Sequence, residues 1–245
     1  LQRGLDLARP TGWAVTLGPC LRQMGEVMRA MGRLDAAQSL LDEALRVYEP
    51  LRNSRNFAMV LTALGDLAQT KGDYPTALDL FRQQAERAKQ LAQTDAAIEG
   101  HIGIATALLH LGQDDEAEDS AATALRLAQD QGAVLQEVTA LRLLSRIHGG
   151  RGDRVTAMTC LEQALNTART VEGYLIPSEL LFALADEYAK AGRYDDAYTM
   201  AIQANTARER VLNQEASNRA TAIQVRLGTE RSRAESEHHR RQAEA

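Results

Sequence analysis

The segments MGRLDAA (31–37), KGDYPTA (71–77), LGQDDEA (111–117), RGDRVTA (151–157) and AGRYDDA (191–197) return at intervals of forty residues. Each holds a glycine (Gly32, Gly72, Gly112, Gly152, Gly192) and, five residues on, an alanine (Ala37, Ala77, Ala117, Ala157, Ala197). Seven residues before each glycine stands a small residue, at Gly25, Gly65, Ala105, Ser145 and Ala185. Directly before that comes Met24, Leu64, Ile104, Leu144 or Leu184. Agreement of these columns over five units marks an internal repeat, which has to be read before any local feature.

Upstream of each glycine the apolar positions follow helical spacing, as in Leu61, Leu64, Leu67 and Ala68. The glycine can take the left-handed conformation that closes a helix. Asp35, Asp73, Asp114 or Asp195 comes next, near the start of a second helix, where a carboxylate favours the unpaired amides. Each unit is therefore a helical hairpin, with small residues letting its two backbones approach. One hairpin cannot bury its apolar face alone, so neighbours must stack.

Composition agrees. Ala (41) and Leu (33) supply 74 of the 245 residues, while aromatics make up 4%, which predicts an all-α chain. The balance of 28 Lys+Arg against 33 Asp+Glu, a net charge of −5, argues against nucleic acid as a partner. No apolar run approaches the roughly 20 residues of a membrane span, and no signal segment opens the chain. The two cysteines, Cys20 and Cys160, lie far apart within helical patterns, which suits a reducing cytoplasm.

The columns Leu61, Leu64-Gly65, Gly72, Tyr74, Ala77 and Phe81 resemble the tetratricopeptide repeat consensus, in a forty-residue version similar to arrays of large bacterial signalling proteins. The resemblance implies a right-handed superhelix of about five hairpins over residues 10–212. Its repeats are about 14–53, 54–93, 94–133, 134–173 and 174–212. The expected helix pairs are 15–31 with 34–51, 56–71 with 74–92, 96–111 with 114–130, 135–149 with 154–171, and 177–191 with 194–212. Pro50, Gly132 and Gly173 punctuate the turns between repeats. Repeat four departs most from the consensus, with His148 and Arg154 where aromatics are favoured. Residues 1–9 read as the end of a truncated preceding repeat, so the chain is expected to be a fragment of a longer protein.

From 213 to 245 the pattern changes to a dense Arg/Glu/Ala run. Ala216, Ala220, Ile223, Leu227, Glu230 and Ala234 fall at four- and three-residue steps, a heptad seam for pairing with a second copy. This stretch resembles the linker helix located after tetratricopeptide arrays in bacterial diguanylate cyclases with a GGDEF domain. That likeness rests on the Asn213-Gln214-Glu215 start, Arg219, Ile223 and Glu230-Arg231. It implies a dimerising helix leading to an output domain, although the cyclase signature itself is absent from these residues.

Chemistry-bearing groups do not converge. No cofactor and no metal is expected: His101 and His110 point to different faces of one helix, His238 and His239 diverge, and no ligand spacing accompanies them. Cys20 and Cys160 have no activating base nearby and read as small apolar residues. Arg151-Gly152-Asp153 falls where every repeat turns. The acidic pairs Asp114-Asp115-Glu116 and Asp195-Asp196 open helices. The chain is expected to be no enzyme.

The tetratricopeptide resemblance leaves the concave groove as the candidate site, because there the first helices line the inner surface. Carried onto this chain, the inward positions are Arg22, Glu26 and Arg29, then Met59, Thr62, Asp66 and Gln69. Repeats three to five add Glu99, Thr106, Arg142, Arg146, Glu179 and Asp186. The Lys and Asn of the family's carboxylate clamp are missing. Arg142 and Arg146, four apart on one face, could instead receive an acidic peptide. The expected function is that of a cytoplasmic protein-binding and dimerising segment of a bacterial signalling protein, a diguanylate cyclase. The alternatives are a free-standing adaptor for a peptide or protein, and the regulatory array of a transcription factor.

Overall fold

The computed structural model describes residues 14–243 of the chain, with side chains from Thr16 to Gln214 and beyond that at Ala216, Ser217, Asn218 and Gln224. The reading of residues 1–9 as part of a preceding repeat lies outside the described residues, as do the side chains of Ala220, Ile223, Leu227 and Ala234. Among the described residues the chain is all helical. The helices are α1 (Ala14–Ala30), α2 (Leu34–Tyr48), α3 (Arg55–Lys71), α4 (Tyr74–Gln90) and α5 (Thr94–His110), then α6 (Asp114–Gln131), α7 (Val134–Gly150), α8 (Arg154–Arg169), α9 (Ser178–Lys190) and α10 (Tyr194–Ala243). The all-α architecture of repeated helical hairpins matches the expected fold class.

The five repeat glycines sit at φ between 72° and 82°, closing α1, α3, α5, α7 and α9 in the left-handed conformation. Residues just past the glycine then start the second helix. Asp73 and Asp153 accept hydrogen bonds from the backbone N–H of Thr76 and Thr156, at 3.2 and 3.1 Å, and so satisfy an orphan donor of the first turn. Pro75 occupies the first turn of α4, where its missing N–H costs nothing. The second helix of repeat one ends earlier than the spacing suggests. Tyr48 closes it, and a 3₁₀ turn at Glu49–Leu51 carries Pro50 into the next repeat.

Two compact units are present, one reaching to Tyr174 and one from Leu175 onward. In the first, each helix packs on the next, and the first helices also touch one another in succession, α1 on α3, α3 on α5 and α5 on α7. The core runs between the two layers. Leu21, Leu41, Ala44 and Tyr48 pack with Phe57, Leu61, Leu64 and Leu67, all buried. Burying each large apolar side chain contributes about 1.5–3 kcal/mol before chain entropy is counted. The small-residue column does what its spacing implies: a Cβ on Gly25 would lie 2.7 Å from Leu41 Cγ, and one on Gly65 would lie 2.7 Å from Phe81 Cζ.

In the second unit α9 packs on α10, and Leu180, Leu181, Leu184, Tyr188, Met200 and Ala204 are buried. The sequence separates a repeat helix ending at 212 from a tail beginning at 213, but α10 runs through that point without a break for 50 residues. Nothing between Tyr194 and Gly228 interrupts it, since neither Pro nor Gly occurs there. No described helix is long and apolar enough to cross a membrane.

Candidate functional site

The inner face of the first unit holds a polar cavity of about 380 Å³ spanning α1, α3 and α5. Its walls are Arg22 and Glu26 from α1, Met59, Thr62, Asp66 and Gln69 from α3, and Glu99 and Thr106 from α5. Eight of the groove positions expected from the repeat register are thus brought to one place. Arg29 joins them through Asp66, with its Nη2 3.8 Å from Asp66 Oδ2 and its Nη1 3.4 Å from Thr70 Oγ1. Arg142, half-buried, and Arg146, exposed, lie on α7 outside this cavity. Glu179 and Asp186 belong to the second unit, where both are exposed and Asp186 pairs with Lys190 at 2.5 Å. Ala216, from the linker seam, is exposed on α10.

Three lining residues were not expected: Phe81, Ile102 and Gly103. Phe81 comes from the second-layer helix α4 and is 1% exposed. Its ring reaches the inner face because Gly65 on α3 and Gly103 on α5 both leave the space a side chain would fill. Gln69 Nε2 donates to the Gly103 carbonyl at 3.1 Å, stitching the two helices at the same level. The glycine at 103 is the signal in the sequence, since no other repeat has glycine at that position.

The electrostatics of the cavity are uneven. Arg22 and Glu26 pair along α1 and largely cancel. Thr62 and Thr106 donate their hydroxyls to the carbonyls of Ala58 and Ile102, at 3.2 and 2.8 Å, leaving only acceptor lone pairs for a visitor. Asp66 has one loose cationic partner, and loss of water around it pushes its carboxyl up, against the pull of Arg29 and with the push of Glu26. Glu99 is also raised, by desolvation first and then by the charges of Asp95 and Asp66. A site with two carboxylates held above their ordinary range is built to gain from an incoming cation.

Elsewhere the residues singled out in the sequence have structural settings. Cys160 is buried and its thiol pushed up by that burial, which makes it a poor nucleophile, and Cys20 is half-buried within α1. His110 stacks on Tyr74 with ring centroids 4.3 Å apart. His148 lies 3.6 Å from Glu118 and 3.9 Å from Asp153, so its neighbours in repeat four are acidic. Arg151 reaches Asp115 at 2.7 Å and also Glu118, which ties the turn at 151–153 to α6 of the preceding repeat. No three His, Cys, Asp or Glu side chains among the described residues converge as a metal site would require.

Comparison with known proteins agrees with this fold. No curated protein sequence matches the chain. Among solved structures, BtubC (BKLC) from P. vanneervenii is similar with a TM-score of 0.73 at 19% identity, over 86% of this chain and 89% of that one. The Rap conjugation gene regulator of the plasmid pLS20, solved in complex with the Phr* peptide, gives a TM-score of 0.64 at 17% identity, over 76% of this chain and 52% of that one. Aspartyl phosphate phosphatase F from Bacillus subtilis gives 0.62 at 12% identity, over 78% of this chain and 59% of that one. At such identities the likeness is one of fold. The family model of the tetratricopeptide repeat matches residues 19–90. Taken with the forty-residue hairpins and the stacked first helices, that match supports a tetratricopeptide repeat array.

Proposed function

We propose that the array, residues 10–212, binds an extended segment of a partner protein along its inner groove and performs no chemistry itself. The observation that carries this reading is the polar cavity across three first helices, with Asp66 and Glu99 under-compensated within it. The segment presents a Lys or Arg side chain to those two carboxylates. Toward α7 it meets Arg142 and Arg146, so its next charged residues are acidic. The Rap regulator was solved with a peptide, which supports a peptide as the occupant of such a fold.

In the same reading the long helix transmits binding by pairing with a second copy, in a cytoplasmic signalling protein whose output is a diguanylate cyclase. Support for the pairing is the resemblance of residues 213–245 to cyclase linkers and the unbroken α10, which exposes Tyr194, Tyr198 and Ile202 at four-residue steps. A free-standing adaptor needs only the groove and is equally compatible with the fold.

A peptide-display selection against residues 1–245 tests the groove. Enriched sequences should carry Lys or Arg and lose at least tenfold in affinity when Asp66→Asn is combined with Glu99→Gln. Enrichment of neutral peptides, or peptides indifferent to that double change, would contradict it. Light scattering on the full chain beside one ending at Leu212 tests the pairing. A dimer that persists after Ile223→Glu with Leu227→Glu would remove the linker from that role.

A further inference from the structure

A second cavity, about 770 Å³, opens on the opposite side of the same repeats, between α4 and α6 with α5 as its floor. The repeat register shows how unusual this place is. His101, on the floor, stands in a column otherwise filled by Leu21, Leu61, Leu141 and Leu181, each no more than 2% exposed. Gln84, behind the cleft, stands in a column of Ala44, Ala124, Ala164 and Ala204. It is fully buried, donates Nε2 to the Ala96 carbonyl at 2.6 Å, and is accommodated because residue 100 is a glycine. Ala92, at the cleft edge, holds φ at 52°, where the next repeat has Gly132 at 65°. Local rules broken together at one place mark function more often than accident.

Charge and polarity at the cleft are one-sided. Arg82, Lys89 and Arg126 line it against a single carboxylate, Glu86. Forty residues earlier the three cationic positions are Asp42, Glu49 and Glu86, and forty later they are Ala122, Gln129 and Asn166, so no neighbouring junction shares this charge. Arg82 is engaged by Glu116 at 3.2 Å and Arg126 by Asp130 at 3.6 Å, both on exposed faces where such pairs exchange readily. Two polar atoms lining the cleft, His101 Nδ1 and Gln93 Oε1, are buried without a partner. Burial first, and then the nearby Arg126, lowers the pKa of His101. Ala85, Ala97, Ile104 and Leu127 give it an apolar body, and its volume is that of a small-molecule site.

We propose that this outer cleft binds an amphiphilic carboxylic acid, its apolar body over Ala85, Ala97, Ile104 and Leu127 and its carboxylate among Lys89, Arg126 and His101 Nδ1. Binding there is independent of the inner groove.

Titration calorimetry on residues 1–245 with dodecanoate, kept below its micelle threshold, and with dodecyltrimethylammonium tests the proposal. Dodecanoate should bind once per chain with a Kd below about 100 μM, and the ammonium head group at least tenfold more weakly. Lys89→Glu with Arg126→Glu should weaken dodecanoate at least tenfold. His101→Leu, which installs the residue of the four sister repeats, should weaken it at least fivefold while raising the melting midpoint. Absence of dodecanoate binding by the unaltered chain, equal affinity for the two head groups, or binding that survives the charge reversal in a chain of unchanged helical content would each overturn it.

Discussion

The inner groove and the outer cleft share residues of α4 and α5, yet they arise in opposite ways. The groove comes from the repeat. Its residues occupy equivalent inward positions of successive first helices, and the side chains there differ from one repeat to the next. The cleft comes from departures from the repeat. It exists where a leucine column holds His101, an alanine column holds Gln84 and three neighbouring positions turn cationic. A repeat protein can therefore carry two kinds of site, one that the register exposes and one that breaks the register.

The contrast is sharpest in a single column. Leu141→Ala removes a buried side chain packed in the core and should cost about 2–5 kcal/mol, read as a fall in the denaturation midpoint. His101→Leu, the same column one repeat earlier, should instead stabilise the chain by about 1 kcal/mol, since it removes an unpartnered buried nitrogen. A destabilised His101→Leu chain would mean that the histidine has packing the cleft reading omits.

Next in size is the wedge that shapes the groove. Gly65→Val would press on the Phe81 ring, and overpacking of this kind costs about 1–3 kcal/mol. Affinity for a cationic peptide should fall in parallel, because Phe81 lines the cavity. Unchanged affinity in a folded variant would move the peptide away from that part of the groove.

Of the groove, the sequence makes legible whatever the register determines: Arg22, Glu26, Met59, Thr62, Asp66, Gln69, Glu99 and Thr106 all reach one cavity. Phe81 is out of reach because its column belongs to the second helices, and only the glycines facing it let the ring through. The cleft is out of reach for a different reason. Agreement between columns is what reveals a repeat, so His101 and Gln84 register as noise until the packing shows one lining the cleft and the other buried behind it. Arg142 and Arg146 are placed by helical spacing alone, which says where they face but not what they meet. The continuity of α10 is hidden because the loss of repeat columns after 212 resembles a boundary, whereas a helix needs only uninterrupted helix formers to continue.

Smaller effects separate the two sites further. Ala92→Gly should stabilise the chain by about 1 kcal/mol, because a left-handed backbone strains alanine and glycine adopts it freely. Asp153→Ala should cost about 1 kcal/mol through the lost cap at Thr156, and should leave both sites unaffected. The carboxyls of Asp66 and Glu99 are raised in the folded chain, so the stability they contribute relative to ordinary carboxylates is present at low pH and lost as pH rises through those raised values. A bound cation reverses this by favouring the charged forms. Affinity for a Lys-bearing peptide should then drop as pH falls through the same range, and it should lose that dependence in Asp66→Asn with Glu99→Gln.

The most direct measurement is a map of backbone amide shifts on isotope-labelled protein, titrated separately with a selected Lys-bearing peptide and with dodecanoate. The account predicts that the peptide moves the amides of Thr62, Gln69 and Thr106, and that dodecanoate moves those of Ala92, Gln93 and Thr123. Peptide shifts centred on Ala92 and Gln93, or spread over exposed helices with the inner face unmoved, would contradict the claim that the groove is where this array meets its partner.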